Sequence, residues 1–382
     1  SLTLDGKDHQ SCQFLSKRAP DESHEFTWKE VTTTRGGELA EILGDQLRSV
    51  DSLVVKGYVN DKDFHAMWDA SLYGYLSVIN LKNAVLENNA VPDTAFFHEN
   101  EQYEGSSHEI FYYIGLRKII LPEGLEKIGE GAFYQASALR QVNFPSTLRY
   151  IGDFAFNATK LEMNQLVIPE GVEEINQYAF AFCRKLKAQV TLPSTIKKIG
   201  EWAFYGCPIT SINLPEGLES LGSLAFWDCD LREVSIPSSC HEFNEGWQFG
   251  FNRNLEKMHL PEGMTEIPDH FAVDCFRLRE VNFPHTLKHI GEKAFSLCIS
   301  LKNVDLPLGM QSLGEEAFSE LEALEQIVFP ASMKSLGKNS CSYWKNIKRI
   351  YCAAMEPPVC DPTDGGVFSG FDFPDGFDTP VV

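Results

Sequence analysis

The ten cysteines of this sequence are its most reactive side chains. An even number in an exported chain ordinarily signals a disulfide framework. The spacing points elsewhere. Cys183, Cys207, Cys229, Cys275 and Cys298 each stand three residues after a phenylalanine or the residue in its place. Regular placement of this kind predicts a ladder of small buried side chains, in which a thiol packs as a minor hydrophobe. Adjacent strands lie ~5 Å apart, close enough for a disulfide by Cα distance alone. Side chains stacked in a column run parallel, however, so free thiols are expected. No CxxC occurs, which leaves a zinc ribbon or a dithiol redox motif without support.

The remaining chemistry is sparse. His285 and His289 form an HxxxH pair, but the pair spans a post-proline turn rather than a helix, and two solvated histidines are expected. There is no HExxH, GxSxG, Walker loop or GxGxxG before a helix. The stretches CDPTDGG (360–366) and FDFPDGF (371–377) bring Asp near Gly without EF-hand spacing. No catalytic, metal-binding or cofactor-binding residue is assigned, and the chain is read as a non-enzyme. The 33 Lys+Arg against 54 Asp+Glu leave a net charge of −21, which argues against nucleic acid and anionic lipid as partners. No apolar run approaches the ~18–20 residues of a membrane span.

Binding surfaces are better represented. Residues 231–254 break an otherwise regular pattern, and Trp247, Phe249 and Phe251 alternate within that break. An extended segment would put all three rings on one side, and Gln248 and Gly250 could not fill a core position in their stead. Trp247 or Phe251 is therefore expected to be exposed and part of a partner-binding patch. A second candidate surface is the row of outward strand residues Asn213, Ser235, His259, Asn282 and Asp305, which is small, polar and rich in hydrogen-bonding groups.

These residues are positioned by a repeat. Leu116, Leu139, Leu161, Leu186, Ile209, Leu231, Leu255, Leu278, Leu301, Leu324 and Ile347 each open a unit of about 23 residues, the period of a solenoid. LRKIILPEGLEKIGEGAFYQASA (116–138) is a clean example. Its alternating start predicts a short strand, and the proline that follows ends it. The glycine after the fourth buried column (Gly129, Gly152, Gly200, Gly222, Gly291, Gly314, Gly337) suggests a left-handed turn, although Pro268 in the seventh unit cannot adopt one. The AF step predicts a phenylalanine stack: Phe133, Phe156, Phe180, Phe204, Phe226, Phe295 and Phe318. After the proline the units alternate between PEG-like and PST-like sequences, so the true period is two units.

At these residues the sequence resembles a known family. IPEGVEEINQYAFAFC and LPSTIKKIGEWAFYGC are similar to the treponemal, or BspA-like, leucine-rich repeats of bacterial surface proteins. Residues 37–84 resemble the N-terminal cap of such proteins from gut Bacteroidetes, and IYCAAMEPPV (350–359) resembles the exit into the C-terminal cap. The expected fold is an α+β repeat solenoid: a leucine-rich repeat right-handed superhelix with short strands on the concave face and caps at both ends. The expected organisation is a leading segment (1–36), an N-terminal cap and irregular first repeat with an inserted loop at 98–109 (37–115), ten repeats (116–346), and a last strand with C-terminal cap (347–382). The 43% hydrophobic content is enough to build such a core.

The resemblance implies a non-catalytic extracellular protein, an outer-membrane lipoprotein whose lipid anchor would lie ahead of Ser1. It would be a monomer that binds a host or bacterial surface protein. The alternative is a glycan-capturing module that uses the aromatics of 231–254. Neither a cofactor nor a metal is expected.

Overall fold

The computed structural model describes residues 24–97, 114–360 and 366–370. The insertion expected at 98–109 and Phe371, Phe373 and Phe377 of the expected C-terminal cap lie outside them. The chain divides into two compact units, Ser1–Glu162 and Met163–Val382.

The first unit opens with the strand Trp28–Thr33, a helical turn over Leu39–Leu43, the strand Ser52–Val59, the helix Asp61–Tyr73 and the strand Val78–Leu86. Asn60 caps the longer helix: its side chain accepts from the Lys62 N–H, and Asp63 reaches back to the Asn60 N–H at 3.0 Å. This capping box satisfies donors that the first turn leaves open. Phe64 and Met67 are buried, Trp68 is half-buried, and Leu39 and Leu43 are buried. Ile42, between them on the same short turn, is 49% exposed. The three strands pair in parallel, and Val78–Asn80 continues the ladder onto Lys118–Ile120.

From there each repeat makes one coil, a parallel β-solenoid as the spacing implied. The strand before the proline and a two-residue strand after it each pair in parallel with their counterparts one coil away, as Gln189–Thr191 does with Ser211–Asn213 and Lys198–Ile199 with Ser220–Leu221. The inward columns are buried, Leu192, Ile196 and Ile199 among them. Phenylalanines stack inside. In the first unit Phe96, Phe133 and Phe156 are 5.4 and 5.2 Å apart, stacked with their planes nearly parallel. In the second, Phe180, Phe204, Phe226 and Phe249 are spaced by 5.3, 5.7 and 5.5 Å.

The cysteine ladder is present, and it carries hydrogen bonds. The Cys207 thiol donates to the Phe180 carbonyl, Cys229 to Phe204, Cys275 to Phe249 and Cys298 to Ala272. In the sixth coil Asn252 performs the same service for Phe226 at 2.7 Å, and Trp344 does so for Phe318 at 2.7 Å. The position therefore selects a buried donor to a carbonyl of the preceding coil, and in the Phe180 and Phe204 coils that carbonyl also accepts the N–H three residues on. All nine cysteines of the described residues are free. Burial pushes the Cys207, Cys229 and Cys298 thiols well above their ordinary range, so they stay protonated.

The glycine reading needs correction. The recurring glycines from Gly129 to Gly337 do not have positive φ. They are small because the neighbouring coil is close: a Cβ on Gly222 would lie 2.4 Å from the Glu201 nitrogen, and one on Gly152 2.6 Å from that of Glu130. The left-handed residues come two and six places later, as at Trp202 (φ 57°) and Gly206 (φ 65°). Pro268 therefore breaks no rule.

Candidate binding face

The sixth coil is one residue longer than its neighbours after the second strand. Leu221 and Phe243 are in register. From Leu221 to the left-handed Leu224 is three steps, whereas from Phe243 to Trp247 is four. The extra residue is absorbed at Glu245–Gly246, where both residues have positive φ. Beyond it the ladder resumes: the N–H groups of Trp247, Phe249 and Phe251 donate to the carbonyls of Asp269, Phe271 and Val273.

This geometry sorts the three aromatics. Phe249 takes the Phe slot, is wholly buried and cannot meet a partner. Its candidacy as a surface residue is withdrawn. Left-handed residues at Glu245, Gly246, Trp247 and Phe251 keep the segment from running as an extended strand, so the rings do not share one side. Trp247 and Phe251, both left-handed, are half-buried on the outside of the turn. Gln248 is buried in place of a hydrophobe. Its Nε2 donates to the Asn244 carbonyl, and its Oε1 has no partner.

Trp247 stands in a cluster. Its indole stacks on the His270 ring at 3.6 Å and 9°. Trp227 leans on Trp247 at 5.2 Å and on Phe251 at 4.5 Å. Gly250 makes room for Trp227, since a Cβ there would come within 2.1 Å of the indole Cζ3. Once the extra residue is counted, Trp202 occupies the same place in its coil as Trp247. It stacks on Tyr178 at 5.3 Å and touches Tyr205 at 4.4 Å, and Phe182 meets Tyr205 edge-on. Tyr178, Trp202, Tyr205, Trp227, Trp247 and Phe251 are all half-buried, each with part of its ring in solvent. Two arginines flank them. Arg184 lies over Phe182 and pairs with Asp228 at 3.0 Å; Arg253 sits between Phe251 and Phe276 at 5.8 and 5.7 Å. Burial raises the Tyr178 and Tyr205 phenols above their ordinary range, so both remain neutral donors.

Sequence reading singled out the sixth coil but missed Tyr178, Phe182 and Tyr205. The available signal was the large aromatics two and five or six places after the glycine position in the third and fourth coils.

The polar strand row is separate from this cluster. Ser235, His259 and Asn282 are in register on adjacent strands. Asn213 lies on the strand Ser211–Asn213, and Asp305 follows the strand Asn303–Val304; both are exposed, as are Ser235 and Asn282. The asparagine amides are already engaged. Asn213 accepts from the Leu192 N–H at 3.0 Å, and Asn282 accepts from the Leu260 N–H at 2.8 Å and donates to its carbonyl at 3.0 Å. Each holds the chain where the ladder of the previous coil runs out. His259 is paired with Glu233 at 3.2 Å. Among the described residues no group of three or more His, Cys, Asp or Glu side chains is arranged to hold a metal ion, and no helix is long and apolar enough to cross a membrane.

A repeat of this period, with strands on one side and left-handed turns on the other, defines a leucine-rich repeat protein. The model of the BspA type leucine rich repeat region (6 copies) matches residues 106–189, 187–295 and 270–355, and the chain belongs to that family. No curated protein matches it. Among solved structures it is similar to a leucine-rich repeat protein from Bacteroides ovatus, with 23% identity over 79% of this chain and 82% of that one and a TM-score of 0.49. It is also similar to a leucine rich cell surface protein from Faecalibacterium prausnitzii, with 17% identity over 86% and 84% and a TM-score of 0.39. A leucine-rich repeat protein of Treponema pallidum aligns at 28% identity over 43% of this chain and 68% of its own, with a TM-score of 0.34.

Proposed function

We propose that the chain is a non-catalytic binding protein displayed outside a bacterial cell, and that it engages a surface protein of host or bacterial origin through the aromatic row from Tyr178 to Phe251. The observation that carries this reading is the row itself. Six large rings on successive coils keep part of their surface in water, between Arg184 and Arg253. Tyr, Trp and Arg are the residue types that dominate protein–protein hot spots, because they bury much area at low entropic cost. The family provides the scaffold: a rigid array that presents one position of each repeat at regular intervals.

The ring geometry favours a protein over a glycan. A sugar platform needs an open ring face. One face of Trp247 is covered by His270, and Tyr178 stacks nearly parallel on Trp202. Rings already stacked on one another offer less open face to a sugar and suit the side chains and backbone of a protein partner.

The test is a solid-phase screen of the purified chain against extracellular matrix proteins and a glycan array, with Trp202→Ala and Trp247→Ala beside the parent. Loss of a protein ligand in both variants, with folding intact, supports the proposal. Binding of glycans alone, or protein binding indifferent to both substitutions, removes it.

A further inference from the structure

Arg184 and Arg253 occupy the same place in the third and sixth coils. Each follows the cysteine-ladder position, held by Cys183 and Asn252. Each donates its backbone N–H to the carbonyl two residues back, Phe182 or Phe251, at 2.8 Å. Each guanidinium lies over that same phenylalanine, at 5.4 and 5.8 Å from the ring centre, and both arginines are exposed.

Their counter-ions differ. The left-handed residues Phe182, Gly206, Asp228, Phe251, Asp274 and Leu297 form one column, each donating its N–H to a carbonyl of the next coil. Arg184 reaches two coils along this column. It passes Gly206, where a Cβ would lie 2.7 Å from the Arg184 Nη1, and pairs with Asp228 at 3.0 Å. The corresponding residues for Arg253 are Asp274 and Leu297. Leu297 offers no counter-ion. Asp274 is half-buried and forms no ion pair with Arg253; burial pushes its carboxyl above the ordinary range, and Arg253 opposes that shift. Among the described residues, none accepts a hydrogen bond from the Arg253 guanidinium or pairs with it. Phe276 of the next coil joins Phe251 instead, 5.7 Å from the guanidinium carbon.

A guanidinium held by two rings loses less freedom on binding than one that swings in water. Contact with ring faces leaves its five N–H groups unused. Their planar fork matches a carboxylate through two parallel N–H···O bonds. A dianionic phosphate is less favoured, because Asp228 and Asp274 flank Phe251 in the column and the whole chain carries −21. Resting on the reading of the aromatic row as the binding face, we propose that Arg253 is the specificity residue of that face and takes an Asp or Glu carboxylate of the protein partner. Arg184, already neutralised by Asp228, supports the row without selecting charge.

The probe is a phage-displayed library of random short peptides, panned on the full chain and counter-selected on Trp247→Ala. Enriched peptides are then synthesised with each Asp or Glu kept or changed to its amide, and titrated against the parent, Arg253→Gln and Arg184→Gln. Thermal melts confirm that the variants are folded. The expected result is a shared acidic position whose amide form binds the parent about ten- to a hundredfold more weakly. Arg253→Gln should bind the acidic and amide forms alike, and Arg184→Gln should keep the preference. Enriched peptides without a shared acidic position would overturn the role of Arg253 and leave the row standing. So would an acid preference that survives in Arg253→Gln or disappears in Arg184→Gln. No enrichment, or peptides that bind Trp247→Ala equally well, would remove the row itself as the binding face, and this role with it.

Discussion

The Thr195 hydroxyl accepts the Gly171 N–H at 2.9 Å and donates to the carbonyl of Val172 at 2.8 Å. One side chain thereby ties two coils together at the turn after the proline. Glu170 completes the clamp by accepting from the Ser194 hydroxyl at 3.1 Å. Gly171 can present its N–H because it sits at φ +96°, a conformation that costs glycine little. The motif recurs at Gly124 and Thr147, Gly217 and Ser239, and Gly263 and Thr286. It explains the two-unit period: a PEG turn needs a PST-like turn beside it. Replacing Thr195 with Val keeps the shape and leaves the Gly171 N–H without this acceptor, so it should cost about 1–2 kcal/mol. Thr195→Ser should cost much less. Chemical denaturation of the two variants measures the difference; equal stabilities would mean that the clamp contributes nothing.

Gly222 separates two explanations of the recurring glycine. Where ordinary φ leaves room for a Cβ, Gly→Ala gains about 0.4–1 kcal/mol by restricting the unfolded chain. Here the Cβ would meet the Glu201 nitrogen at 2.4 Å and the Gly200 carbonyl carbon at 2.5 Å. Backbone cannot give way as a side chain does, so Gly222→Ala should lose about 1–3 kcal/mol. A stabilised variant would return the glycine to a purely conformational role.

Phe204 is wholly buried, between Phe180 and Phe226. Phe204→Ala should cost about 3–5 kcal/mol through the cavity it leaves. The effect should be confined to adjacent coils, because a linear array couples only neighbours. Hydrogen exchange can check this: protection should fall around residues 180–226 and hold around 295–318.

The core was readable in advance and the surface only partly so, for a physical reason. Phe204 and the cysteine ladder were legible because burial at one point of every coil imprints a period on the sequence. The two-unit alternation was legible as a pattern, but its cause was not, since Gly171 and Thr195 meet only across coils. Gly222 advertises intolerance of a side chain without saying whether dihedral or neighbour forbids it. Phe249 was misplaced because the extra residue at Glu245–Gly246 shifts the slot and because the left-handed turns void the two-residue alternation of a strand. Asn213 and Asn282 read as recognition residues, whereas their amides serve the backbone of the preceding coil.

The His270 ring is predicted to make the face sensitive to mild acid. Its Nδ1 is buried without a partner, and Nε2 lies 3.7 Å from the Glu292 carboxylate. Burial lowers its pKa; Glu292 and Asp269 oppose that and Lys293 adds to it. Because the folded pKa lies below the unfolded one, the unfolded chain takes up the proton first as pH falls. The contribution of neutral His270 is therefore complete above the unfolded value of about 6.5 and is lost as pH drops through that value toward the folded one. Thermal unfolding of the parent and of His270→Gln at about pH 5 and about pH 7 should show the larger acid loss in the parent. Trp247 fluorescence should change over the same range, as the imidazole leaves the indole face. Identical pH profiles would remove His270 from the account.

The central claim is that the row from Tyr178 to Phe251 meets a partner. Its most direct test is the affinity of Trp247→Ala for whichever matrix protein binds the parent chain, measured by surface plasmon resonance beside the strand-face variant Gln189→Ala. The account predicts a loss of about 2 kcal/mol or more, roughly thirtyfold in affinity, for Trp247→Ala, and little change for Gln189→Ala. Undiminished binding by Trp247→Ala, with loss in Gln189→Ala, would contradict it and move recognition to the strand face.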